Sequence, residues 1–145
     1  MQFNISKKLQ NVFLQKQSNR GSSYQYEAPE KIMNQEYSLK IDVYSFGILL
    51  YEAITRNEPY PDQFIDEVYD LVKSGKRPKI PDNVSKSFRD LIESCWSMEI
   101  DKRPTFKSIY QKLAFNKKES LNDNNNYYLE NVDVGKVFEY ILSID

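Results

Sequence analysis

The chain has 145 residues, Lys+Arg 20 against Asp+Glu 21, a net charge of -1 and no His. That length is one domain's worth of chain, and the balanced charge leaves no electrostatic footprint for nucleic acid or an anionic membrane. The missing His removes imidazole chemistry. The single Cys, Cys95, excludes an internal disulfide and a Cys-cluster zinc site and fits a reduced, cytoplasmic setting.

Residues 1 to 24 are polar and without helical period, and Lys16 to Ser23 reads as a solvated loop. Nothing in Met1 to Lys8 has the form of a signal peptide. Pro29 suits the first turn of a short helix ending near Asn34. Ser38 is placed to cap an entry turn, and a helix is predicted from Asp42 to about Thr55. Its residues Val43, Phe46, Ile48, Leu49, Leu50, Ala53 and Ile54 go all the way round, so it is a buried helix. With Asp42 and Glu52 inside it, this most apolar run is too short to span a bilayer. Gly47 in its middle costs about 1 kcal/mol against Ala, which makes sense where another backbone packs close.

Asn57 to Pro61 is a turn. Asp62 to Lys73 follows as an amphipathic helix with Phe64, Ile65, Val68, Leu71 and Val72 on one face, ended by Ser74-Gly75. Arg77 to Pro81 is extended, because each Pro biases its predecessor away from the helical region. Ser85 caps a helix with Phe88, Leu91, Ile92, Cys95 and Trp96 inward. Pro104 and Thr105 open the last core helix, with Phe106, Ile109, Tyr110 and Leu113 inward. Asn116 to Asn126 reads as an Asn-rich linker and Val134 to Ile144 as a small terminal helix. The division is therefore 1–115 for the folded part and 116–145 for the tail. No internal repeat and no strand is evident.

Four landmarks stand out in order: Gly21 to Glu30 with its Ala28-Pro29-Glu30, Asp42-Val-Tyr-Ser-Phe-Gly47, Glu93-Ser-Cys-Trp96, and Lys102-Arg-Pro-Thr-Phe106. Together they resemble the end of the activation segment and the later helices of a eukaryotic protein kinase domain. The resemblance covers roughly residues 2 to 115 and implies an all-α fold, the C-terminal large lobe of the kinase-like fold. In that family the carboxylate at the Glu30 position pairs with the guanidinium at the Arg103 position, a planar fork suited to a bidentate bond. The acid at the Asp42 position accepts bonds from the catalytic loop; its other reading is a carboxylate near a helix start. Cys95 and Trp96 read as packing residues.

Ser23 falls where serine/threonine-specific members carry Thr. The Val-Tyr-Ser-Phe-Gly and Cys-Trp style looks like the tyrosine-kinase-like branch, most of which phosphorylates Ser and Thr. Glu27 departs from the usual apolar residue, so the substrate-side wall is changed. Ser18, Ser22, Ser23 and Tyr24 lie where activation-loop phosphorylation falls, although unmodified hydroxyls are the alternative.

Phosphoryl transfer needs a Gly-rich phosphate cradle, a Lys, metal-holding Asp and Asn, and a catalytic Asp. The sequence has no G-x-G-x-x-G, no V-A-I-K-like strand and no H-R-D-L-x-x-x-N loop, so no catalytic or metal residue is assigned. ATP and Mg²⁺ are implied by the family only, and the N-terminal lobe and catalytic loop are expected to lie outside this chain. Gln2-Phe3-Asn4-Ile5-Ser6-Lys7 resembles the start of an activation segment, with uncharged Gln2 where the metal-binding Asp belongs. Three readings follow: part of a serine/threonine kinase, a pseudokinase-like module that binds proteins, or a non-functional fragment. Each of the first two takes a protein as substrate or partner.

Overall fold

The computed structural model describes residues 24–35 and 37–120, with side chains to Ala114. Candidate residues Gln2, Ser18, Ser22 and Ser23, and the terminal helix expected at Val134 to Ile144, lie outside these. The described residues are helical and contain no strand. After a 3₁₀ turn at Tyr24–Tyr26 come α1 (Pro29–Ile32), α2 (Lys40–Thr55), α3 (Ile65–Lys73), α4 (Lys86–Cys95) and α5 (Phe106–Ser120), with a second 3₁₀ turn at Ile100–Lys102. This is the helical large lobe of the kinase-like fold.

Helix α2 is the axis. Ile41, Val43, Tyr44, Phe46, Ile48, Leu49, Leu50, Tyr51, Ala53 and Ile54 are all buried along it, as its all-round apolar pattern demands. The 3₁₀ turn, α4 and the start of α5 pack round it, the last through an edge-to-face contact of Phe46 with Phe106 at 6.1 Å. Its apolar positions are thus covered by other elements of the same chain. Asp42 sits in the first turn of α2 and is only partly buried, so its charge is not carried into the core.

The ends obey local chemistry. Ser85 is the N-cap of α4, its side chain accepting from the Phe88 N–H. Helix α3 stops on a Schellman motif: the Gly75 N–H bonds the Val72 carbonyl and the Lys76 N–H the Leu71 carbonyl, with Gly75 at φ 88°.

Two boundaries differ from the sequence reading. Helix α3 begins at Ile65, not Asp62, because Tyr60 and Asp62 take left-handed φ of 51° and 61° and Phe64 is the extended N-cap. Phe64 and Ile65 consequently point outward, 77% and 42% exposed, instead of joining the core. Helix α5 continues to Ser120, into the span read as linker. Lys117, Lys118 and Glu119 are good helix formers and extend it.

Candidate functional site

The segment Tyr24 to Glu30 is held from several sides. Ser45 of α2 donates its hydroxyl to the Tyr26 carbonyl at 2.8 Å. The Tyr26 hydroxyl donates to the Glu52 carboxylate at 2.5 Å. Tyr24, half-buried, donates its hydroxyl to the Gln63 carbonyl at 3.3 Å. Tyr69 of α3 donates to Glu27 Oε2 at 2.6 Å, and Lys31 approaches the same carboxylate at 3.9 Å. Burial pushes the Tyr69 hydroxyl up to about 12, and the bond to Glu27 adds to it. Glu27, at a position where the resemblance implies an apolar residue, is thus a mostly buried acceptor.

Ala28 is fully buried, and Pro29 opens α1 at a position whose N–H would otherwise lack a partner. Glu30, 3% exposed, meets the fully enclosed Arg103 side chain in a two-pronged pair. Nη1 donates to Oε1 at 2.5 Å and Nη2 to Oε2 at 3.0 Å. Arg103 also donates to the Ser97 carbonyl at 2.9 Å through Nε and to the Lys40 carbonyl at 3.0 Å through Nη1. In return the Lys40 ammonium donates to the Arg103 carbonyl. Burial pushes the Glu30 carboxyl up, but the hydrogen bonds and charge of Arg103 outweigh it and hold the group below its ordinary value. A charge pair this deep survives because both Glu30 oxygens accept from Arg103 and four of the five guanidinium N–H groups have acceptors.

Beside the pair lies the buried ring of Tyr44. The Arg103 and Arg77 guanidiniums stand 5.1 and 5.0 Å from its centroid, within cation–π range. Arg77 closes the far side, donating to the carbonyls of Trp96 at 3.0 Å, Val72 at 3.1 Å and Lys76 at 2.8 Å. Trp96, at the end of α4, packs against Tyr51 at 5.9 Å. At Gly47 an added Cβ would meet Cys95 Cβ at 2.7 Å. That is the close approach its absent side chain permits. Cys95 is wholly buried, and burial pushes its thiol up to about 12.

The structure therefore brings Glu30, Arg103, Tyr44 and Trp96 into one polar-aromatic cluster, with Gly47 next to it and Asp42 in the first turn of α2. Sequence reading missed Lys40, Glu52, Tyr69 and Arg77. Only Arg77 left a trace, as an arginine in an extended Pro-flanked stretch, and nothing there gave its targets.

Residues 1–113 match the family described as protein tyrosine and serine/threonine kinase. A probable serine/threonine-protein kinase of Dictyostelium discoideum is 42% identical over 88 residues, 61% of this chain and 7% of that protein. The dual specificity protein kinase shkE of the same organism is 44% identical over 90 residues, 61% of this chain and 13% of that protein. The probable inactive serine/threonine-protein kinase roco10, also from Dictyostelium discoideum, is 41% identical over 112 residues, 71% of this chain and 4% of that protein. The chain thus spans only a small part of the length of these relatives.

Proposed function

The chain belongs to the protein tyrosine and serine/threonine kinase family, and we propose that its residues form the protein-substrate platform of a serine/threonine kinase domain without themselves transferring phosphate. The observation that carries this reading is the buried Glu30–Arg103 fork. It ties the segment ending in Ala28-Pro29-Glu30 to the far end of the lobe. With the Tyr26–Glu52 and Tyr69–Glu27 bonds, it fixes the backbone that a protein substrate would lie against. Preorganised positioning of this kind is what a substrate-side surface contributes to phosphoryl transfer. Ser23, in place of the family's Thr, supports serine/threonine specificity. Ser22, Ser23 and Tyr24 are the candidates for regulatory phosphorylation.

ATP and Mg²⁺ belong to the family's chemistry, and the described residues do not fit them. Among those residues no three His, Cys, Asp or Glu side chains converge as a metal site. Gly47 is a helix-packing contact and Gly75 a helix stop, so neither helps to cradle phosphates. The sequence carries none of the motifs that hold nucleotide in this family. A second reading, a pseudokinase that acts by binding proteins, is favoured by Gln2 at the metal position. A relative named as an inactive kinase is in keeping with it.

Calorimetric titration of the chain with Mg-ATP, with a radiolabel transfer assay on a generic protein substrate, tests the proposal. No nucleotide binding and no transfer are expected. Tight nucleotide binding, or transfer abolished by a substitution in this chain, overturns it.

A further inference from the structure

Helix α2 ends on Arg56 at φ 59°, and the turn beyond it holds Tyr60 at 51° and Asp62 at 61°. Arg56 is a left-handed helix stop, and Tyr60 and Asp62 add two side-chain-bearing residues in the same region. The turn bounds an open groove of about 680 Å³, within the size range of ligand-binding clefts. Tyr51, Tyr60 and Leu71 supply its apolar wall.

Its charge is one-sided. Arg56, Lys76, Arg77 and Lys79 line it against the single carboxylate of Glu58. Arg77 is fixed by its bonds to backbone carbonyls, which take up three of its N–H groups, so its charge stays in the groove. Lys76 and Lys79 are exposed and form no ion pair with a described residue. Their ammoniums stand ready for an anion.

Gln63 also lines the groove. Its backbone carbonyl takes the Tyr24 hydroxyl, so the groove adjoins the Tyr24–Glu30 segment.

We propose that this groove docks an acidic segment of a partner protein. Carboxylates of the segment meet Lys76 and Lys79, and an apolar side chain rests on Tyr51, Tyr60 and Leu71. The proposal does not depend on the platform reading, because it concerns a different surface and no phosphate transfer. Apolar contact supplies affinity here, and the lysines select sign and speed encounter.

The test uses the whole chain and three synthetic peptides: a leucine flanked by glutamates, the same peptide with glycine for leucine, and the leucine peptide with lysines for glutamates. Binding is followed by calorimetry and by Trp96 and tyrosine fluorescence. The glutamate–leucine peptide is expected to bind best and the lysine peptide not at all. Lys76→Gln with Lys79→Gln should weaken binding about three- to tenfold, the worth of two exposed charge contacts. Lys107→Gln with Lys112→Gln, which removes the same charge from α5, should leave affinity unchanged. Equal weakening by the α5 pair, equal binding of the glycine peptide, or no binding of the glutamate–leucine peptide at about 1 mM overturns the proposal.

Discussion

Replacing Arg103 by Leu tests the reasoning at its centre. The substitution deletes four donated hydrogen bonds: two to Glu30, one to Ser97 and one to Lys40. It leaves Glu30 ionised at 3% exposure with no counter-charge. Removing one partner of a buried pair costs about 3–5 kcal/mol, against a total stability of about 5–15 kcal/mol for a typical domain. With a urea slope of about 2 kcal/mol/M, the unfolding midpoint should fall by about 2 M. Fluorescence of Trp96, the one tryptophan, reports the transition. The pH dependence adds a sign. In the native chain the Glu30 carboxyl is held below its ordinary 4.5, so the unfolded state takes up the proton first as pH falls. That contribution is complete above pH 4.5 and is lost as pH falls through the folded-state value. In Arg103→Leu the upward push of burial is unopposed and the folded-state pKa rises above the unfolded one. The deficit should then be largest at neutral pH and shrink in acid. Glu30→Leu added to Arg103→Leu should recover much of the loss, because replacing both partners by apolar groups removes the orphan charge. A loss below about 1 kcal/mol at pH 7, the worth of an exposed ion pair, would refute this account of the fork.

Gly47→Ala should lower stability by about 1–2 kcal/mol in a urea melt, overpacking against Cys95 outweighing the better helix propensity. Cys95→Ala should not rescue it, since the clash is with Cys95 Cβ, whereas Cys95→Gly should rescue part of it. The Cys95 thiol, pushed up to about 12 by burial, should react with a disulfide reagent at pH 8 only as fast as the chain opens, and its native thiolate fraction is about one in ten thousand. Full reaction within the mixing time would contradict its burial. Ser85→Ala should cost about 1 kcal/mol through loss of the α4 cap, measurable as a lower melting temperature. Tyr69→Phe should leave the helices intact by circular dichroism yet destabilise the chain by about 1.5–3 kcal/mol, because Glu27 loses a hydrogen bond to a buried carboxylate.

What the sequence made legible was what local pattern controls. The all-round apolar run of α2, the Ser85 cap and the Ser74-Gly75 stop are each written in neighbouring residues, and the structure repeats them. The start of α3 was not legible in this way. Phe64 and Ile65 have helical spacing with Val68, but the left-handed residues at Tyr60 and Asp62 consume the turn and rotate those side chains outward. Periodicity records which residues are apolar, not where the chain stops turning. Arg77 and Lys40 were illegible for another reason. Their targets are backbone carbonyls on other elements, and a carbonyl has no residue type to signal it. The Glu30–Arg103 contact was anticipated from the family pattern alone; no spacing in the sequence sets apart these two charges from the others.

The contacts that hold the Tyr24–Glu30 segment share one character. Tyr26 reaches Glu52 on α2, Tyr24 reaches Gln63 before α3, Tyr69 reaches back to Glu27, and Arg103 reaches Glu30 from beyond α4. Each joins the Tyr24–Glu30 segment to an element distant in sequence, and each is polar. Apolar packing alone fills volume without choosing one backbone path, whereas a buried hydrogen bond tolerates little displacement before its partner is orphaned. A surface that must present a fixed backbone to another protein gains from that intolerance. The free energy spent burying Glu30 and Arg103 is then better accounted for by the position it imposes than by stability, since an apolar pair of similar volume would stabilise the lobe as well.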